Sequence, residues 1–274
     1  MLLVPQECCT RVISNAGIVG TANPWTQVTS SGSANTYGSV VELISAANNT
    51  QDSWGIEVII VSTGASTVSS ETCVDILAGA ATEDKIIDSL IGGFAYAGTS
   101  MRYFFPLYIP AGTRISAQAA SAVTSNAVRV GVYLYGNGNP PFRVGGRVTT
   151  YGTKVNSARG QAVTPAASGG TASVTEMTAS SSRDHFYFLP GFQVEADGSI
   201  AAAGWVNVGI GVGAATEERI GTWFYPKATT EQMSGPMPMF GAFRDVPSGT
   251  RLSLLVSNAT TNDAAYGGLI YAVG

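Results

Sequence analysis

Apolar positions along most of the chain recur every second residue in short stretches, and Gly, Asn, Ser and Pro interrupt them at roughly the 8–12-residue spacing of all-β domains. In Ala127–Tyr135, AVRVGVYLY, the side chains of Val128, Val130, Val132 and Leu134 share one side of an extended chain. Arg129, Gly131, Tyr133 and Tyr135 take the other, which is the pattern of a half-buried strand. Gly55–Val61 (GIEVIIV), Tyr103–Ile109 (YFFPLYI) and Thr113–Gln118 (TRISAQ) also read as strands, because they are short and rich in β-branched or aromatic residues. One stretch departs from this period: TEDKIIDSLIG, Thr82–Gly92, has room for about two helical turns opened by Thr82 as N-cap. The pattern therefore predicts a mainly β chain with one short helix over 82–92.

The same phrases occur twice, in the same order. IPAGTRIS at Ile109–Ser116 returns as VPSGTRLS at Val246–Ser253, 137 positions on (247 − 110). VDILAGAATEDKI at Val74–Ile86 aligns without gaps to VGIGVGAATEERI at Val208–Ile220, 134 positions on (208 − 74). SVVEL at Ser39–Leu43 meets SVTEM at Ser173–Met177, GVYLY at Gly131–Tyr135 meets GLIYA at Gly268–Ala272, and RVISNAGIVGT at Arg11–Thr21 meets RVGGRVTTYGT at Arg143–Thr153. An ordered set at nearly one spacing predicts an internal duplication. The expected architecture is all-β: two tandem homologous antiparallel β-sandwich domains of jelly-roll-like type. Residues 1–18 would form an N-terminal arm, 19–136 the first sandwich, 137–141 (NGNPP) a linker and 142–274 the second sandwich.

Within the repeated phrase, Pro110 and Pro247 cannot donate to a strand ladder, and Gly112 and Gly249 can take positive φ, so Pro-x-Gly-Thr predicts a tight turn. Arg114 and Arg251 follow it in both halves. Each is either a ligand-binding cation or one that satisfies turn carbonyls or pairs with a nearby carboxylate.

Composition narrows the function. Charged residues make up 12% of the chain, about half the usual share, while apolar residues make up 45%, so the surface is neutral and hydroxyl-rich, as suits packing against other subunits. The 14 basic residues are scattered among 18 acidic ones and form no cationic stripe, which argues against nucleic-acid binding. The start, MLLVPQECC, has no basic segment followed by an apolar run of signal-peptide length, and no stretch is long enough to span a bilayer. Synthesis in a cytoplasm and no membrane association are expected.

Candidate chemistry is sparse. Cys8, Cys9 and Cys73 have no CxxC spacing and only His185 to help them, which leaves no zinc site. Neighbouring cysteines seldom bond to each other, so Cys8 and Cys9, with Cys73 as the odd third, are either partners in disulfides between subunits or plain reduced thiols. His185 follows Asp184, but there is no GxSxG serine, so a surface or edge-strand histidine is expected rather than a triad member. Glu83–Asp84 and Glu217–Glu218 recur at matched places. Adjacent carboxylates do not converge on one point, and they read as first-turn residues of short helices behind Thr82 and Thr216. The Gly209, Gly211, Gly213 series alternates like one face of a strand and lacks the lysine of a phosphate loop. Trp54, Trp205 and above all Trp223, Phe224 and Tyr225 in TWFYP either fill cores or offer a partner or glycan surface. No catalytic group, cofactor or metal is expected.

YFFPLYIPAGTRISAQAAS and VRVGVYLYG, preceded by VSSETCVDILAGAATEDKIIDSLI, resemble a group of structural proteins of tailed bacteriophages that infect proteobacteria. The resemblance covers residues 54–136 well and the second half more loosely, through VPSGTRLS. It implies a jelly-roll module that decorates the capsid or forms collar, fibre or tail appendages, commonly as a trimer. The implied partners are further copies and other virion proteins, and the implied location is the virion. A carbohydrate- or receptor-binding module of a tail fibre is the other reading, and a polysaccharide-degrading enzyme using Glu83 or Glu217 ranks third.

Overall fold

The structure is a computed structural model, and it describes residues 10–14, 25–62, 71–79, 83–92, 100–136, 140, 142–154, 156–166, 171–194, 204–214, 217–228, 232–233, 237–258 and 266–274. The described residues form strands, turns and bends without a helix. The first half contributes β1 (Thr10–Ser14), β2 (Thr26–Thr29), β3 (Val41–Ile44), β4 (Ser53–Ser62), β5 (Thr72–Ala78), β6 (Asp84–Ile91), β7 (Ser100–Phe105), β8 (Ile115–Ser121) and β9 (Ala127–Gly136). The second contributes β10 (Val148–Tyr151), β11 (Gln161–Val163), β12 (Ser173–Thr178), β13 (His185–Val194), β14 (Gly204–Val212), β15 (Glu218–Ala228), β16 (Gln232–Met233), β17 (Met237–Met239), β18 (Ala242–Val246), β19 (Leu252–Asn258) and β20 (Tyr266–Val273).

These strands build four sheets, ordered β1-β9-β4-β7-β17 with β2 also on β9, β3-β8-β5-β6, β10-β20-β13-β18 with β11 on β20, and β12-β19-β14-β15-β16. All pairings are antiparallel except β7 with β17. The chain is thus an all-β, jelly-roll-like sandwich protein. Strand alternation fills its core: Val128, Val130, Val132 and Leu134 of β9 are fully buried, as the two-residue period requires. The outer sheets of the two halves carry matching registers. Asp75, Leu77 and Ala78 face Gln118, Ser116 and Ile115 in the first, and Gly209, Gly211 and Val212 face Leu255, Ser253 and Leu252 in the second.

One buried apolar cluster runs through both halves. Tyr103 and Tyr271 meet edge to face at 5.7 Å between ring centres. The Tyr271 hydroxyl donates to the Ser89 carbonyl (2.8 Å) and accepts from the Ile91 N–H (2.9 Å). The Tyr187 hydroxyl donates to the Phe104 carbonyl at 2.7 Å, and Thr150 Oγ1 to the Asp88 carbonyl at 2.7 Å. A short strand also crosses over, since Met237–Met239 of the second half lies parallel to Met101–Tyr103 of the first.

The expected helix over 82–92 is instead the edge strand β6, and its irregular ladder explains the misleading pattern. Opposite β5 the partner jumps from Lys85 to Ile87 between Leu77 and Ile76, and from Ile87 to Leu90 between Ile76 and Val74. Each extra residue resets the strand's facing, so apolar residues cluster at 86–87 and 90–91 as they would along a helix. Ser89 takes a left-handed φ of 57°, buried, with its N–H on Asp75 Oδ1 at 2.8 Å. Asp84 therefore opens a strand rather than a helix, with Glu83 just before it, and Glu218 opens β15; Thr82 and Thr216 lie outside the described residues.

Tyr271→Phe keeps the ring and removes the hydroxyl, which strands the buried Ile91 N–H. We expect it to lower the free energy of unfolding by about 1–3 kcal/mol, read as a lower denaturation midpoint at unchanged m-value.

Candidate functional site

The repeated turn is held in the same way in both halves. Gly112 and Gly249 have φ of 75° and 80°, the left-handed region in which a side chain would be strained. Asn49 Nδ2 donates to the carbonyls of Pro110 and Thr113 (3.0 Å each), while Ser181 Oγ donates to the Pro247 carbonyl (3.1 Å). Asp52 accepts from the Ala111 N–H and Asp184 from the Ser248 N–H, both at 2.8 Å. From this turn Arg114 reaches Glu83 at 2.8 Å and comes within 4.0 Å of Glu42. Arg251 bonds Glu217 and, at 2.6 Å, Glu176. Both arginines are thus committed to carboxylates, and these are the recurrent acids that an enzymatic reading would employ.

Next to this clamp the two halves diverge. In the first, Asp75 is fully buried on β5 and is bonded by Lys85 (2.8 Å), Gln118 Nε2 (2.8 Å), the Tyr37 hydroxyl (3.0 Å) and the Ser89 N–H. Charge and hydrogen bonds are satisfied, as a buried carboxylate requires. In the second, the position of Asp75 is Gly209 and that of Lys85 is Arg219. A Cβ on Gly209 would stand 3.0 Å from Arg219 Nε and 3.3 Å from its Cδ, so the arginine lies across the bare glycine. Among the described residues Arg219 has no ion pair. The same face carries Trp205 and Phe224, 53% and 54% exposed, and Asn207, whose Oδ1 is buried with no partner among the described residues.

Trp223, Phe224 and Tyr225 do not make one surface, because successive strand residues point to opposite faces. Phe224 faces outward. Tyr225 is fully buried with its hydroxyl on the Pro190 carbonyl at 3.1 Å, and Trp223 packs on the core with Nε1 donating to the Phe240 carbonyl at 2.7 Å. The partner of Phe224 on the outer face is Trp205 on the neighbouring strand, which adjacency in sequence does not reveal. The missed residues are Arg219 and Asn207. Their signal is the Asp75-to-Gly209 difference inside an otherwise matching phrase.

Cys73 is a free thiol at zero exposure in β5, and burial pushes its pKa up. From there it cannot reach another subunit, so the expectation of an intersubunit disulfide is corrected for Cys73; Cys8 and Cys9 lie outside the described residues. His185 is neither a surface nor an edge-strand residue. It opens β13, an interior strand, at 1% exposure, with Nε2 2.7 Å from the Tyr151 hydroxyl, and burial holds its pKa below the ordinary 6.5.

A groove of about 600 Å³ lies at the junction of the halves, lined by Gln51, Asp52, Ser53, Trp54, Tyr108, Pro140 and Val144. Trp54 is 5% exposed, with Nε1 buried and unpartnered among the described residues, and Tyr108 is half exposed. Phe142 joins Trp54 (5.5 Å) to the exposed Phe243 (5.7 Å) in an aromatic chain. Across Gly136, Ser53 stands opposite Thr10, the first residue of β1.

No family model and no curated protein sequence matches the chain. Solved structures with a similar course include the STIV MCP, a viral major capsid protein (9% identity, 91% of this chain and 94% of that one, TM-score 0.37). Others are PNGase F, a glycosylasparaginase from Flavobacterium meningosepticum (9%, 91% and 94%, 0.38), and the CBM22-1–CBM22-2 tandem of Paenibacillus barcinonensis Xyn10C (13%, 98% and 94%, 0.28). Likeness at this level carries no argument about activity.

Arg114→Met and Glu83→Gln should each cost about 1.5–3 kcal/mol, the range for a hydrogen bond to a charged group. The double variant should cost less than their sum in a denaturation cycle. For His185 the folded pKa lies below the unfolded 6.5, so the unfolded chain binds the extra proton. Stability should fall as pH drops through 6.5 toward the folded value, and His185→Asn should flatten that part of the melting-temperature profile.

Proposed function

We propose that the chain is a non-enzymatic structural protein of a tailed-bacteriophage virion, a decoration, collar or tail component that works through contacts between subunits. The observation that carries this reading is the seam groove. Among the described residues it is a concavity with Trp54, Tyr108, Pro140 and Val144 on its wall beside Gln51, Asp52 and Ser53, and Thr10, on β1, pairs with Gly136 next to Ser53. Partly exposed aromatic and apolar side chains in such a concavity can take an apolar partner segment. Its proposed occupant is the leading segment MLLVPQECC of a neighbouring copy, whose Leu2, Leu3 and Val4 match the groove in polarity and whose Cys8 or Cys9 can tie the copies covalently. The duplicated phrases support two homologous sandwich units that present similar contact surfaces, and a trimer is the expected closed assembly. The recurrent acids support a role without catalysis, since Glu83 and Glu217 are both held by arginines.

A receptor- or carbohydrate-binding module is the second reading, and the outward Trp205, Phe224 and Arg219 favour it.

Light scattering of the purified protein tests the assembly. We expect a trimer-sized mass, reductant-sensitive cross-links on a denaturing gel, and a monomer after deletion of residues 1–9. A full-length monomer under both redox conditions would overturn the assembly reading.

A further inference from the structure

We infer that the outer face of β14 and β15 binds an acidic saccharide, with Arg219 taking the sugar carboxylate and Trp205 and Phe224 the ring faces. This goes beyond assembly and uses none of the groove residues.

The frame of the first half shows what this face lacks. There a lysine on the edge strand meets an aspartate on the central strand, and Gln118 and Tyr37 complete the aspartate's hydrogen bonds. The second half keeps the cation as Arg219 and replaces the acid by Gly209. Arg219 therefore lies directly against the Gly209 backbone, and the fork-shaped donor set of its guanidinium fits a carboxylate in two-point contact. Gln118 gives way to Leu255, so no neighbouring amide at that position takes the missing acid's place.

The flanks define the rest of the ligand. Phe224 is opposite Asn207 and Trp205 is opposite Pro226, which makes the two rings diagonal neighbours, about 7–8 Å apart at the backbone. Two half-exposed rings at that spacing offer flat apolar faces to pyranose C–H surfaces. Asn207 Oδ1, unpartnered between them, supplies an acceptor for a sugar hydroxyl if its side chain turns outward. A single guanidinium also excludes a phosphodiester chain as occupant, since nucleic-acid binding draws on several cations and this chain is net −4.

The probes are oligogalacturonate and 3′-sialyllactose, with methyl-esterified oligogalacturonate and lactose as their neutral counterparts, titrated by calorimetry and by tryptophan fluorescence. We expect saturable binding of at least one acidic probe, at least tenfold weaker binding of its neutral counterpart, and a salt-dependent affinity. Arg219→Met and Trp205→Ala should each weaken binding at least tenfold. Gly209→Asp is the decisive variant. It rebuilds the lysine–aspartate arrangement of the first half as an arginine–aspartate pair, so binding should vanish while the melting temperature holds or rises. Absence of binding to both acidic probes, equal binding of the neutral ones, or affinity unchanged by Arg219→Met and Gly209→Asp would overturn the inference. Light-scattering mass should be the same for all these variants, which separates this outcome from failure of the assembly reading.

Discussion

The arginine that follows each Pro-x-Gly-Thr turn holds an entire sheet end together. Arg114 sits just before β8 and bonds Glu83, which precedes β6 on the far side of β5; on its other side it approaches Glu42 of β3. Arg251 does the same between Glu217 and Glu176. One side chain thereby spans all four strands of the first of these sheets and four of the five strands of the second. Three of the repeated phrases, SVxE, GTR and ATE, meet at this single point. Their joint recurrence has a physical cause, because none of the three can change without leaving a charge poorly matched near the core. Glu83 is 8% exposed and Glu217 13%, so these carboxylates are costly to orphan.

Where the clamp is shared, the surface next to it is free to differ. The first half pairs Asp75 with Lys85 on its outer face, and the Tyr37 hydroxyl donates to Asp75 as well. With glycine at 209 there is no buried charge to neutralise, and Arg219 lies against it on the face that carries Trp205 and Phe224.

The parts of the fold that were legible in the sequence are those where one residue has one consequence. The alternation of β9 and the left-handed glycines of the two turns follow directly from period and φ. The strand β6 was not legible, because two ladder irregularities shift its apolar residues into helical spacing, and bulges are set by the partner strand. The TWFYP cluster was legible as core or as surface, and the structure divides it between the two. Trp223 and Tyr225 turn inward to find acceptors for N–H and O–H, and only Phe224 is left outside. Arg219 escaped notice for a different reason. Its distinction is a missing partner, visible only when the two halves are compared position by position.

The junction of the halves follows from the problem of sheet edges. β6 ends the four-stranded sheet, and an uncovered edge presents unpaired N–H and C=O groups that invite aggregation. The second half satisfies them with hydroxyls: Thr150 on the Asp88 carbonyl and Tyr271 on the Ser89 carbonyl and the Ile91 N–H. The first-half strand β7 is likewise covered, by pairing with β17. On the second half, β18 ends its sheet with Arg244 and Asp245 exposed. Charges on an edge oppose strand-to-strand addition. Growth of an assembly by sheet extension is therefore disfavoured at β18.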